Sequence, residues 1–88
     1  DILKDKVAFV TGGGTGITGG VARAMAEHGA KLAITSRKEE NLAAMKATVE
    51  GFGGECFTVA ADVRDYAAVE SAIARTVEQY GRIDIVVN

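Results

Sequence analysis

Residues 11–17, Thr11-Gly12-Gly13-Gly14-Thr15-Gly16-Ile17, decide the fold. Just before them lies a short apolar run, Lys6-Val7-Ala8-Phe9-Val10. Its length, two valines and a phenylalanine favour a buried strand over a helix. Just after the glycines, Ile17, Val21, Ala22, Met25 and Ala26 recur at helical spacing as far as His28. Gly29 then stands where a left-handed residue caps a helix. The quoted stretch is therefore a strand-to-helix turn made largely of glycine.

The pattern repeats outward from this turn. Leu32–Thr35 reads as a second strand, and Glu39–Glu50 as a helix with Leu42, Met45 and Val49 on one face. Its two leading glutamates sit where the helix dipole favours them. Gly51-Phe52-Gly53-Gly54 ends that helix, and Cys56–Ala60 gives a third strand. Asp65 is a suitable cap for a third helix, with Val69, Ile73, Val77 and Tyr80 as its apolar face and Gly81 at its end. Ile83–Val87 is a fourth strand. The order βαβαβαβ predicts an α/β fold with a parallel sheet covered on both faces and right-handed crossovers. The expected arrangement is a doubly wound, Rossmann-type sheet with strand order 3-2-1-4. The fourth strand is almost wholly apolar, and a bare edge of that kind would aggregate. Residues 1–88 are therefore read as the N-terminal portion of one domain that continues past Asn88.

Composition removes other classes. Charges are mixed and the formal net charge is −2, which gives no electrostatic reason to expect nucleic acid or an anionic membrane as a partner. No apolar run approaches the ~20 residues of a membrane span. The lone Cys56 cannot form an internal disulfide, so a reducing, cytoplasmic setting is expected. On its strand, Cys56 reads as a small core residue. His28 falls at a helix end, and the acidic pairs Glu39-Glu40 and Asp62/Asp65 lack His or Cys partners, so no metal is predicted.

The turn has a chemistry. A phosphate held against backbone needs bare N–H groups, close approach and a positive field, which a glycine turn opening a helix supplies. Gly14, Gly16 and Gly19 satisfy GxGxxG literally, and the strand–turn–helix context is what gives that match weight. A P-loop is excluded because no Lys follows Gly16.

Thr11-Gly12-x-x-x-Gly16-Ile17 resembles the TGxxxGIG signature of the short-chain dehydrogenase/reductase family. Asp62-Val63 and the ending Asp84-Ile85-Val86-Val87-Asn88 resemble two further motifs of that family, in the right order. Within it, Val7–Gly16 and Ser36-Arg37-Lys38 look most like 2,4-dienoyl-CoA reductases. The resemblance implies that Gly12, Gly13, Gly14, Thr15, Gly16 and Ile17 cradle a dinucleotide. It also implies that the Asp62 carboxylate and Val63 backbone contact its adenine, and that Asn88 lines the crevice. A small-molecule substrate, including an acyl-CoA, and a homodimer or homotetramer are the expected partners. The sequence departs from the family where Thr18 replaces the third glycine, which normally lets the first helix pack closely.

Selection between NAD(H) and NADP(H) rests on the end of the second strand. NAD enzymes carry a carboxylate there for the ribose 2′-hydroxyl. Here Ser36 occupies that place, Arg37 follows, and no acidic residue occurs before Glu39. A guanidinium and a hydroxyl suit a 2′-phosphate, so NADP(H) is expected, with NAD(H) as the alternative.

No catalytic residue is assigned in these 88 positions. The family's Tyr-x-x-x-Lys pair is missing, since Tyr66 is followed four residues on by Glu70 and Tyr80 by Asp84. The expected function is thus the cofactor-binding part of an NADP(H)-dependent oxidoreductase. A non-catalytic dinucleotide-binding or sensing module is the alternative.

Overall fold

The computed structural model describes residues 2–12 and 16–87, with Gly16, Ile17 and Thr18 described by backbone alone. The elements run β1 (Val7–Thr11), α1 (Gly16–Glu27), β2 (Lys31–Ser36), α2 (Glu39–Gly51), β3 (Cys56–Ala60), α3 (Tyr66–Tyr80) and β4 (Ile85–Val87). The strands pair in parallel in the order β3-β2-β1-β4, as the sequence predicts. β4 begins at Ile85 and not Ile83. Asp84 bonds Val7 through both its backbone and its carboxylate, so regular pairing starts one residue later.

Val7–Val10 and Leu32–Thr35 are buried throughout, because β1 and β2 occupy the sheet centre and need apolar residues on both faces. On one face Ala8, Val10, Leu32 and Ile34 pack against α1 and α2, and Cys56 joins that cluster from β3. On the other, Phe9, Ala33 and Val59 meet Ala72 of α3. The sheet is thus covered on both sides.

α2 behaves as its periodicity predicts. Leu42, Met45 and Val49 are buried, each contributing about 1.5–3 kcal/mol of apolar transfer. It ends in a Schellman motif. The Gly54 N–H donates to Val49 O and the Gly53 N–H to Glu50 O, with Gly53 at φ +89.

The face expected for α3 requires correction. The fully buried residues of α3 are Ala72 and Thr76, whereas Ile73 and Val77 are 39% and 43% exposed. α1 departs only in part: Ala22 and Ala26 are buried as the spacing predicts, Gly19 is buried with them, and Val21 is exposed. In both helices a stripe of small residues at helical spacing lets the backbone approach the sheet closely. The larger side chains flank that contact. Asp65 caps α3 as predicted, accepting from the Ala68 N–H at 3.2 Å, and Gly81 closes it in the left-handed conformation.

Candidate functional site

The parallel arrangement brings the carboxyl ends of β1, β2 and β3 to one edge of the sheet, where open α/β folds bind ligands. Backbone bonds carry the pairing past the strands and fix that edge. The Gly12 N–H donates to Thr35 O at 2.7 Å, and the Ala61 N–H donates to Ser36 O at 3.0 Å. At the β1/β4 side the Thr11 hydroxyl donates to Val87 O at 3.3 Å. Gly12 has φ +66, and a Cβ there would meet nothing within 4 Å among the described residues. Glycine is favoured by the left-handed backbone, and no described residue would crowd a Cβ at that place.

A cavity of about 250 Å³ opens on this edge. Four of the sequence-predicted residues, Gly12, Ser36, Arg37 and Val63, line it. Lys38, Asn41 and Ala61 line it too, and sequence reasoning did not single them out for this role. Lys38 was legible as part of Ser36-Arg37-Lys38 and Asn41 only as part of a helix; both reach the cavity because α2 begins directly after the β2 end. Gly16 and Ile17 form the first turn of α1, directly after the glycine turn. Gly13, Gly14, Thr15 and Asn88 lie outside the described residues.

The β2–α2 turn is held by Ser36, whose Oγ accepts from the Lys38 N–H at 3.2 Å. That bond uses a lone pair and leaves the hydroxyl proton available to an anion. Among the described residues Arg37 has no ion-pair partner. Asp62 is engaged. Its Oδ1 accepts from the Arg64 backbone N–H at 2.9 Å and from Arg64 Nε at 3.1 Å, while Oδ2 accepts from Arg64 Nη2 at 3.0 Å. These bonds, with the nearby Arg37 charge as a lesser influence, lower the Asp62 carboxyl to about 2. The two tyrosines stand apart from this chemistry. The Tyr80 hydroxyl donates to Leu32 O at 3.0 Å, and burial pushes it up to about 12. Tyr66 is exposed at the start of α3. A guanidinium without an ion-pair partner among the described residues, a hydroxyl, a backbone without Cβ and a helix N-terminus thus converge on one edge, a donor set that fits a phosphorylated nucleotide.

The chain belongs to the short-chain dehydrogenase family, whose model matches residues 6–88. It is 44% identical over 86 residues to the oxidoreductase UcpA of Salmonella typhimurium, covering 98% of this chain and 32% of that protein. It is also 38% identical over 89 residues to a peroxisomal 2,4-dienoyl-CoA reductase of Danio rerio, covering all of this chain and 30% of the relative. Among solved structures, a metagenomic short-chain oxidoreductase in complex with NADP superposes with a TM-score of 0.92 at 30% identity. That match covers 98% of this chain and 39% of the other. The chain therefore spans about a third of the length of the curated relatives it matches.

Proposed function

We propose that this chain is the cofactor-binding part of an NADP(H)-dependent oxidoreductase acting on a carbonyl or an enoyl thioester. The observation that carries the reading is Arg37, a cation without an ion-pair partner among the described residues, beside the Ser36 hydroxyl on the cavity wall. A ribose 2′-phosphate is the group those two side chains suit, and the carboxylate that would repel it is missing from the end of β2. In this reading Gly12–Ile17 and the N-terminus of α1 receive the pyrophosphate, Asp62 and Val63 face the adenine, and Asn88 lines the crevice. When bound, the dinucleotide supplies or accepts a hydride. The proton that completes the reaction comes from outside these residues, because Tyr80 is tied to Leu32 and neither tyrosine has a lysine four residues on. The solved neighbour's bound NADP supports the cofactor, and the dienoyl-CoA reductase relative supports an acyl-CoA substrate. The test is NADPH consumption by the full-length protein against a panel of enoyl-CoA thioesters and simple ketones. Turnover of at least one is expected. Tight NADPH binding with no turnover across the panel contradicts the enzyme reading and favours a sensing module.

A further inference from the structure

The Asp62–Arg64 pair does more than join two surface charges. Arg64 presents two nitrogens to the two carboxylate oxygens, at 3.1 and 3.0 Å, in the fork arrangement that fixes a carboxylate's plane. The Arg64 backbone N–H adds a third bond, to Oδ1. An ionised carboxylate has about four acceptor positions; among the described residues three are filled and one, on Oδ2, remains. The Asp62 carboxylate is ionised and acceptor-only at neutral pH, and the Arg64 hydrogen bonds lower it further. An exposed ion pair of this kind contributes little to stability, so a structural role does not account for the arrangement well.

We propose that Arg64 is a positioning residue for nucleotide recognition: it clamps Asp62 so that the remaining Oδ2 lone pair accepts the exocyclic amino group of the cofactor's adenine. The inference rests on the reading of Asp62 as the adenine contact. Arg64 itself need not touch the cofactor. Its guanidinium fixes the carboxylate's rotation about χ2, and the bond to the amino group is then formed without ordering Asp62 at the moment of binding.

The test compares the dissociation constants of NADPH and of nicotinamide hypoxanthine dinucleotide phosphate, in which a carbonyl replaces the adenine amino group. The full-length wild-type, Arg64→Ala and Arg64→Lys proteins are titrated, with thermal midpoints measured alongside. The wild type is expected to prefer NADPH on the order of tenfold, the size of a hydrogen bond to a charged acceptor. Arg64→Ala keeps its backbone N–H bond to Asp62 and an unchanged midpoint, but loses most of that preference. Arg64→Lys keeps the charge without the fork and is expected to stay near the alanine variant. A wild type that discriminates beside an Arg64→Ala protein that discriminates equally overturns the role of Arg64 alone. Full rescue by lysine overturns the clamp in favour of simple charge. A wild type that does not discriminate overturns the reading of Asp62, and the inference with it.

Discussion

Asp84 and Val7 are joined twice: the Asp84 N–H donates to Val7 O at 2.9 Å, and the Val7 N–H donates to Asp84 Oδ2 at 2.9 Å. A side chain thus supplies the acceptor for a buried residue's backbone at the place where β4 joins β1. Arg82 holds the other oxygen, with Nε 3.0 Å from Oδ1. The Arg82 hydrogen bonds and then the Val7 N–H lower the Asp84 carboxyl below its ordinary value of 3.8.

A folded-state value below the unfolded one stabilises the protein above pH 3.8, and that contribution is lost as pH falls through the folded value. Asp84→Ala is therefore expected to lower the denaturation midpoint of the full-length protein at neutral pH and to flatten its acid limb. Urea titrations across the acid range check this. An unchanged acid limb in the variant would show that the carboxylate does not anchor β4.

Two glycines at the end of α2 should respond in opposite directions. A Cβ on Gly54 would lie 2.7 Å from Val49 Cγ1 and 3.2 Å from Val49 O, so Gly54→Ala is expected to cost about 1–3 kcal/mol through overpacking. A Cβ on Gly51 meets nothing within 4 Å among the described residues, so Gly51→Ala should stabilise by about 0.4–1 kcal/mol. Equal effects of the two substitutions in chemical denaturation would contradict this account of the helix end.

Thr35 is fully buried on β2, and its Oγ1 has no hydrogen-bond partner among the described residues. Valine has nearly the same shape and removes the unsatisfied hydroxyl. Thr35→Val should be neutral or stabilising by up to ~2 kcal/mol. A clear loss of stability would reveal that the hydroxyl is satisfied after all.

The parts that were legible in the sequence are those carried by large side chains or by chain order. Leu42, Met45 and Val49 marked the buried face of α2 because a bulky stripe faces a polar one. The strand order followed from alternating elements, and it brings Gly12, Ser36, Arg37 and Val63 to one cavity from three separate strand ends. α3 was misread at Ile73 and Val77, and α1 at Val21 alone, because periodicity weights side chains by size. On α3 the sheet instead selects Ala72 and Thr76, and on α1 it keeps Ala22 and Ala26 of the set the spacing marked, all residues that permit close approach. The Asp62–Arg64 clamp was invisible for a related reason. Residues two apart share no face of a helix, and only the turn geometry after β3 brings their side chains together.

The selection of NADP(H) by Arg37 is tested most directly by fluorescence titration of NADPH and NADH. The wild-type full-length protein and its Arg37→Ala variant are compared. The wild type should bind NADPH about 10–100-fold more tightly, as charge-assisted bonds to a 2′-phosphate require. The variant should lose that preference by weakening for NADPH while its affinity for NADH is unchanged. If the wild type binds NADH as tightly as NADPH, the assignment of Arg37 is wrong.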